Sequence, residues 1–171
     1  MKQFSLVPEI HKIATFDAFY QEFGINEKDL ILTIEPIFNT YLKERAEKFT
    51  VVFPEQYALG EPTDEMIDRI VADIKEVDFN RVIAIGGGSI VDIAKLFALK
   101  QVEHSEQLFL REVPIVKEKK LIIIPTTCGT GSEVTNISIA LLKGKNTKLG
   151  LADNAICADQ AVMIPELLVK L

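Results

Sequence analysis

Apolar and polar residues alternate in blocks along this sequence, and the apolar blocks are short. Four of these blocks are rich in β-branched side chains and lack helical spacing, which predicts buried strands. They are LILTI at 30–34, TVVF at 50–53, RVIAI at 81–85 and LIIIP at 121–125. Amphipathic stretches separate them, so the pattern predicts strands that alternate with helices.

The amphipathic stretches repeat their apolar residues every three or four positions, as one face of a helix does. TFDAFYQEF predicts a helix that ends at Gly24, and residues 37–42 predict a second helix, which begins near Pro36. GEPTDEMIDRIVADIKE predicts a helix capped by Thr63, and SIVDIAKLFALK predicts another. Strands and helices in this order indicate a mostly parallel sheet with helices on both faces.

The pattern changes after residue 135. ISIALL and TKLGLA, joined by KGKN, predict a β-hairpin with its turn at 144–146. A short strand is expected at 161–164, and PELLVKL predicts the start of a helix whose final LLVKL forms an exposed apolar patch and promotes self-association. We therefore expect one domain, residues 1–171, with a Rossmann-like α/β fold and a β-hairpin near its C-terminus.

Composition narrows the classes of function. The chain has 171 residues, 48% of them hydrophobic, and its net charge of −6 argues against nucleic acid or an anionic membrane as the main partner. Cys128 and Cys157 lack the spacing of a metal site or disulfide framework, so we expect two reduced thiols. No stretch is apolar enough for a signal peptide or a membrane span, which predicts a cytoplasmic protein.

Three glycines, Gly86, Gly87 and Gly88, lie between a predicted strand and a predicted helix. Glycine lets another group approach the backbone, and the free N–H groups of a helix start attract anions. Ser89 and Asp92 have the spacing of a capping box for that helix. The turn therefore predicts a phosphate or pyrophosphate site, although neither G-x-G-x-x-G nor a Walker A pattern is present. The alternative is a tight turn without a ligand.

A second polar loop, IPTTCGTGSEVTN at 124–136, also follows a predicted strand. Its hydroxyls and backbone N–H groups suit the ribose and pyrophosphate of a dinucleotide. The candidate side chains are Thr126, Thr127, Thr130 and Ser132. Because both loops are expected at the carboxyl ends of parallel strands, they predict one shared ligand. The alternative is a loop that only caps the next structural element.

Glu35 directly follows the predicted strand LILTI. A carboxylate at this place accepts hydrogen bonds from the ribose 2′-hydroxyl and repels a 2′-phosphate. Glu35 therefore predicts selection of NAD over NADP. The alternative is a solvated glutamate at the start of a helix.

The segments ALGEPTDEMI, NRVIAIGGGSIVDIAK and TTCGTGSEVTN together resemble the iron-containing (group III) alcohol dehydrogenase family. They occur in the family's order, and the resemblance extends over essentially the whole chain. Within the family they look most like the 4-hydroxybutyrate dehydrogenase branch. Relatives of glycerol dehydrogenase or dehydroquinate synthase share a glycine-rich turn but lack the TTCGTGSEVT form.

The resemblance implies roles for individual residues. Gly87, Gly88 and Ser89 would hold the pyrophosphate, and Asp92 would support the loop or face the nicotinamide. Lys148 would lie near the nicotinamide ribose. Pro62 and Thr63 would line the cofactor cleft. The full set of implied cofactor-binding residues is Glu35, Gly86, Gly87, Gly88, Ser89, Asp92, Thr126, Thr127, Thr130, Ser132 and Lys148.

The resemblance also implies a reaction, cofactors and partners. It implies hydride transfer between a primary alcohol and NAD, here 4-hydroxybutyrate and succinate semialdehyde, by a homo-oligomer that is a dimer or larger. In the family a helical domain follows and binds a divalent metal, iron or zinc. We therefore expect metal only in a full-length enzyme, and we expect this chain alone to be inactive. His11 and His104 lack companion ligands and are expected at the surface.

Two alternatives remain at this point. The chain is either half of such an oxidoreductase or a nucleotide-binding module without chemistry of its own. Another member of the same family, acting on a different small alcohol, fits the same residues.

Overall fold

The computed structural model describes residues 6–169, and side chains as far as residue 168. Its strands are β1 (Glu9–Lys12), β2 (Asp29–Leu32), β3 (Thr50–Val52), β4 (Arg81–Gly86), β5 (Lys120–Pro125), β6 (Ile137–Leu142), β7 (Thr147–Ala152) and β8 (Gln160–Met163). Six of them form one sheet in the order β1-β8-β5-β4-β2-β3, and every pair in it is parallel. The predicted Rossmann-like α/β fold is confirmed.

The helices connect successive strands and cover the sheet. They are α1 (Phe16–Phe23), α2 (Glu35–Ile37), α3 (Asp64–Asp73), α4 (Gly88–Phe97), α5 (Glu106–Phe109) and α6 (Pro165–Val169). A π-helical segment, Phe38–Leu42, and a 3₁₀ segment, Lys43–Lys48, extend α2. Within residues 6–169, no helix combines the length and apolar character that a membrane crossing requires.

Successive residues of the central strands point to opposite faces, and both faces are buried. Leu30 and Val82 face the cluster that contains α3, α4 and the inner side of the hairpin. Ile31 and Ile83 face the cluster that contains α1. Burial on both sides explains why these strands appear in the sequence as continuous apolar runs.

The hydrophobic pattern of the sequence did not predict two of the elements, β1 and α5. Strand β1 lies at the edge of the sheet beside β8, and three of its four residues are exposed. Helix α5 is one turn long and lies in a polar part of the sequence. Strand β1 has no apolar run because most of its side chains are exposed, whereas α5, although its Leu108 and Phe109 are buried in the core, is too short to show a helical stripe.

Helix starts confirm one capping prediction and overturn another. The hydroxyl of Thr63 accepts a hydrogen bond from the N–H of Met66 at 3.1 Å and caps α3, as predicted. Helix α4, however, begins after Gly87 and has no side-chain cap. The predicted capping box of Ser89 and Asp92 is wrong, because Ser89 already lies inside the helix and Asp92 binds the hairpin instead.

The predicted β-hairpin is confirmed. Strands β6 and β7 pair antiparallel from Ile137–Ala152 to Leu142–Thr147, and Asn146 adopts a positive φ of 48° in the turn. The hairpin forms its own two-stranded sheet. It is attached to the rest of the molecule beside α4 and through a hydrogen bond from the N–H of Leu141 to the carbonyl of Pro62 at 2.9 Å.

The C-terminal helix is only partly described. Leu167 is buried in the core, so it does not belong to the exposed apolar patch predicted for LLVKL. The side chains of residues 169–171 lie outside the described part of the chain. The carboxylate of Glu166 accepts a hydrogen bond from the N–H of Phe16 at 2.9 Å, which joins α6 to the start of α1.

Candidate functional site

The two polar loops leave the sheet side by side. Gly86 and Pro125 are partners in the β4–β5 register, and the N–H of Thr126 donates to the carbonyl of Gly86 at 3.1 Å. The loops therefore start from neighbouring strands at the carboxyl edge of a parallel sheet, where such folds bind ligands. We call the space between the glycine turn (residues 86–88) and the Thr-rich loop (residues 126–135) the crevice.

The glycines of the turn have different surroundings. A Cβ atom on Gly87 would lie 3.6 Å from the side chain of Thr127, and one on Gly88 would lie 3.4 Å from Thr130. These two glycines thus face the Thr-rich loop across the crevice. A Cβ atom on Gly86 would lie 2.7 Å from Ile90, so Gly86 is required by the packing of α4 rather than by contact with a ligand.

Helix α4 offers its first backbone N–H groups to the crevice. The residue before it, Gly87, is extended, and no side chain of residues 6–168 caps the helix. The first N–H groups of a helix lack partners within the helix and carry the positive end of its dipole. The start of α4 can therefore bind an anion.

Hydroxyl groups form the opposite wall. Thr127 and Thr130 are exposed and Ser132 is half-buried, whereas Thr126 is 4% exposed. The loop turns at Gly129 and Gly131, which both have positive φ. Three predicted side chains are thus available to a ligand, and Thr126 has its backbone in the sheet edge and its side chain in the interior.

A second space lies between α4 and the hairpin, beside the first turn of α4 at Ser89. It has a volume of about 280 Å³, and we call it the cleft. Its walls are Glu61, Pro62, Ser89, Asp92, Ile139, Ala140, Leu141 and Lys148. The structure therefore brings together four residues that the sequence had suggested separately, Pro62, Ser89, Asp92 and Lys148. Lys148 forms an ion pair with Glu61 at 2.5 Å at the rim.

A larger hollow, of about 430 Å³, lies beside α1 and the 38–48 segment and is lined mainly by polar side chains. It includes no residue of α4, of the hairpin or of the two polar loops. Size therefore does not identify the site, and the convergence of the two loops does.

Asp92, which is half-buried in the wall of the cleft, pairs with the fully buried Lys95, a residue that the sequence analysis missed. Their closest charged atoms are 3.8 Å apart. Burial raises the pKa of the Asp92 carboxyl, although the Lys95 ammonium and the N–H of Ile139 oppose this. Burial also lowers the pKa of the Lys95 ammonium, against the attraction of Asp92. The available signal was the i, i+3 spacing of two opposite charges in an otherwise apolar helix.

Glu35 lies at the same edge of the sheet, one strand further along. Its side chain accepts a hydrogen bond from Gln56 at 3.1 Å, and its N–H donates to the carboxylate of Glu55 at 3.1 Å. The hydroxyl of Thr33 donates to the carbonyl of Ile85 at 2.9 Å and ties this end of β2 to the end of β4. Glu35 is exposed, so its carboxylate is available to a ligand that extends from the crevice over β2.

Among the described residues, no group of three or more His, Cys, Asp or Glu side chains is placed to hold a metal ion. His11 lies 3.5 Å from Glu9, and His104 lies 3.5 Å from Asp68. His104 is exposed, as expected, whereas His11 is half-buried, with its Nε2 buried and its ring edge-on to Phe23.

Comparison with known proteins gives a consistent result. The family model described as iron-containing alcohol dehydrogenase matches residues 9–165. The chain is 48% identical over 166 residues to 4-hydroxybutyrate dehydrogenase from Clostridium kluyveri. The matched region covers 97% of this chain and 45% of that protein. It is 40% identical over 115 residues to long-chain-alcohol dehydrogenase 1 from Geobacillus thermodenitrificans, covering 64% of this chain and 29% of that protein.

Solved structures show the same fold. Sulfoacetaldehyde reductase from Bifidobacterium kashiwanohense, in complex with NAD+, superimposes with a TM-score of 0.82 at 20% identity, covering 100% of this chain and 48% of that one. NADH-dependent butanol dehydrogenase A from Thermotoga maritima superimposes with a TM-score of 0.76 at 19% identity, covering 100% and 46%. The chain thus spans less than half the length of these relatives.

Proposed function

Since the chain belongs to the iron-containing alcohol dehydrogenase family, we propose that residues 1–171 are the dinucleotide-binding α/β domain of an oxidoreductase. The complete enzyme transfers a hydride between a primary alcohol and NAD. One observation carries the proposal: Gly87 and Gly88 face the hydroxyls of the Thr-rich loop across a crevice at the uncapped start of α4.

The crevice holds the pyrophosphate. The first N–H groups of α4 donate to its oxygens, and the missing side chains of Gly87 and Gly88 permit close approach. The hydroxyls of Thr127, Thr130 and Ser132 donate from the other side. Gly86 and the buried Thr126 shape the site from behind.

The cleft holds the nicotinamide nucleoside. Pro62 and Ile139 give it apolar walls that suit a flat ring, and Ser89, Asp92 and Lys148 supply polar groups at its edge. Bound NAD supplies the carbon that accepts or releases the hydride. These side chains orient the ring and exclude water from one of its faces.

Glu35 selects NAD over NADP. Its exposed carboxylate follows β2, the strand beside β4, where the adenosine ribose of a dinucleotide bound in the crevice lies. The carboxylate accepts hydrogen bonds from the ribose hydroxyls and repels a 2′-phosphate.

For the substrate we propose 4-hydroxybutyrate, oxidised to succinate semialdehyde. The support is 48% identity over 97% of this chain to a 4-hydroxybutyrate dehydrogenase. The 40% identity to a long-chain-alcohol dehydrogenase over 64% of the chain favours a different alcohol as the second candidate. The residues of the described chain do not fit a metal site, so we place the divalent metal, iron or zinc, in the part of the enzyme that this chain does not span. The complete enzyme is proposed to be a cytoplasmic homo-oligomer.

Calorimetric titration of this chain with NAD and with NADP, at low divalent metal, is the first test. We expect NAD to bind and NADP to bind much more weakly. Gly88→Val should abolish binding, because its side chain would fill the crevice next to Thr130. Gly144→Val is the matched control, since a Cβ atom there meets open space in the hairpin turn. Equal binding by both variants would overturn the crevice as the site.

A second experiment separates an enzyme from a binding module. This chain would be joined to the remaining part of the Clostridium kluyveri relative, and NADH formation from 4-hydroxybutyrate would be measured. We expect turnover, and we expect Gly88→Val in the same chimera to remove it. A chimera that binds NAD without turnover would favour a module without chemistry of its own.

A further inference from the structure

Arg111, which follows α5, has a backbone conformation that usually belongs to glycine. Its φ is 56°, in the left-handed region. Its N–H donates to the carbonyl of Leu108 at 3.2 Å, and the N–H of Glu112 donates to the carbonyl of Gln107 at 2.9 Å. Such bonds close the end of a helix in a motif that favours glycine at this position. An arginine is strained here, so the local turn does not explain it.

The side chain of Arg111 holds the base of the hairpin. Its guanidinium group donates to the carbonyl of Ala152 and to the carboxylate of Asp153, the latter at 3.2 Å. Ala152 pairs with Ile137 at the start of β6, and the N–H of Asp153 donates to the carbonyl of Asn136 at 2.9 Å. Asn136 directly follows the Thr-rich loop. Arg111 therefore fixes the place where that loop enters the hairpin.

A second contact joins the other end of α5 to the turn of the hairpin. Nζ of Lys145 lies 3.3 Å from Oε1 of Glu106, the first residue of α5. Lys145 belongs to the segment 143–145 between β6 and β7. Leu108 and Phe109 are buried and fix α5 in the core. The core thus holds α5, and the two ends of α5 hold the two ends of the hairpin.

We propose that α5 is a brace for the hairpin, with Glu106 and Arg111 as positioning residues of the dinucleotide site. The cleft lies between α4 and the hairpin, so a tilt of the hairpin changes its width. Contacts at both ends of a ribbon resist such a tilt. A cleft that is formed in advance spares the ligand the cost of ordering it. This inference rests on the proposed function and adds two residues that do not line the cleft.

Two substitutions of Arg111 separate the contacts of its side chain from the strain of its backbone. Arg111→Gly and Arg111→Ala both remove the contacts with Ala152 and Asp153, but only alanine keeps the unfavourable conformation. The glycine variant should therefore be the more stable one in urea. Both variants should bind NAD about fivefold more weakly than wild type in calorimetry. Arg111→Lys retains a cation near Asp153 and should recover part of the affinity.

Trypsin cleavage without ligand tests the brace by itself. Lys148 lies within the ladder of β6 and β7, so cleavage after it requires the hairpin to open. In Arg111→Gly this cleavage should be about tenfold faster than in wild type, because a charged hydrogen bond at the base of the hairpin is lost. Cleavage after Arg81, at the start of β4, should not become faster. Mass spectrometry of the fragments distinguishes the two sites.

The contact at the turn is tested by exchanging its charges. Glu106→Lys places two cations together and should weaken NAD binding. Adding Lys145→Glu to that variant makes the charges opposite again and should restore the affinity. Restoration by a second substitution far from the glycine turn would not follow from a general loss of stability.

Lys117→Ala is the matched control for Arg111. Lys117 also donates to a backbone carbonyl, that of Cys157 at 2.7 Å, and pairs with a carboxylate, that of Asp159 at 2.8 Å. It precedes β5 and lies at the edge of the sheet opposite the crevice. This variant should keep the wild-type NAD affinity and the wild-type rate of cleavage after Lys148.

The outcomes separate the two proposals. Failure of wild type to bind NAD would overturn the proposed function and leave the cleavage experiment to decide on the brace. Unchanged cleavage after Lys148 in Arg111→Gly would overturn the brace. Faster cleavage with wild-type NAD affinity would overturn the role of the brace in the dinucleotide site. Weaker binding in Arg111→Ala but not in Arg111→Gly would assign the effect to backbone strain and would also overturn it.

Discussion

Glycine is needed at residues 86, 87 and 88 for different physical reasons. The first allows the side chain of Ile90 to pack against the end of β4, and the other two leave room opposite Thr127 and Thr130. The sequence identified the turn and predicted that all three glycines bind the cofactor. Only tertiary contacts distinguish a glycine needed for packing from one needed for ligand approach.

Gly86→Ala should destabilise the domain without entering the crevice. The added methyl group would lie 2.7 Å from Cγ1 and 2.8 Å from Cβ of Ile90, and the latter atom cannot move without shifting α4. We expect a loss of about 1–3 kcal/mol in the free energy of unfolding, measured in urea. Gly144→Ala should change stability little. Equal stability of both variants would contradict this packing argument.

Glu35→Ala should reduce the discrimination between NAD and NADP. Loss of a charged acceptor for the ribose hydroxyls should weaken NAD binding about tenfold, and loss of the repulsion should strengthen NADP binding. Glu47→Ala changes the net charge equally at an exposed position in the 43–48 segment and is the control. Unchanged affinities for both dinucleotides in Glu35→Ala would place the ribose elsewhere.

The ionisation of Asp92 should make the free energy of unfolding depend on pH. Its pKa is raised by burial above the ordinary value of 3.8, so the native state holds its proton to higher pH than the unfolded state does. The contribution of Asp92 to stability is therefore present below pH 3.8 and is lost as pH rises through its native pKa. The difference in unfolding free energy between wild type and Asp92→Asn should fall over that interval. A difference that rises with pH would contradict the direction of the shift.

Among the secondary-structure elements, those buried on both faces were the most predictable. All four residues of β2 are buried, and five of the six in β4 are, so these strands appear as apolar runs after their first residues, Asp29 and Arg81, which pair with each other. The exposed edge strand β1 gives no such signal. The boundary of α4 could not be predicted, because a Ser and an Asp three residues apart suit a capping box equally well. The contact of Asp92 with Ile139, 47 residues further on, decides against that box.

The N-terminal cap of α3 is a local feature that the sequence did predict. Thr63 is 8% exposed, and its hydroxyl bonds the N–H of Met66. Thr63→Ala should lower the free energy of unfolding by about 1 kcal/mol, as loss of a buried cap does. Thr63→Ser retains the hydroxyl and should recover most of that loss in the same urea experiment. Failure of serine to recover it would assign the effect to the lost methyl group.

In the whole molecule, the candidate ligand groups gather at one edge of the sheet. The alternation of strands and helices predicted this edge, because parallel strands bring their carboxyl ends together. The cleft was less predictable, since it depends on how the hairpin is placed against α4. Lys95 was missed for the same reason: no pattern indicates which side of a nearly uniformly apolar helix meets a separate sheet.

The hairpin has a further consequence for motion. It forms no ladder with the main sheet. It is anchored by buried side chains that include Ala140, Leu142 and Leu151, by the contacts of α4 and by the hydrogen bond from Leu141 to Pro62. A two-stranded ribbon is marginally stable by itself, so this one should open locally at a lower free energy than the domain unfolds. Amide hydrogen exchange should then be faster in β6 than in β4. Bound NAD should slow exchange in β6 selectively, which would make the hairpin a reporter of occupancy.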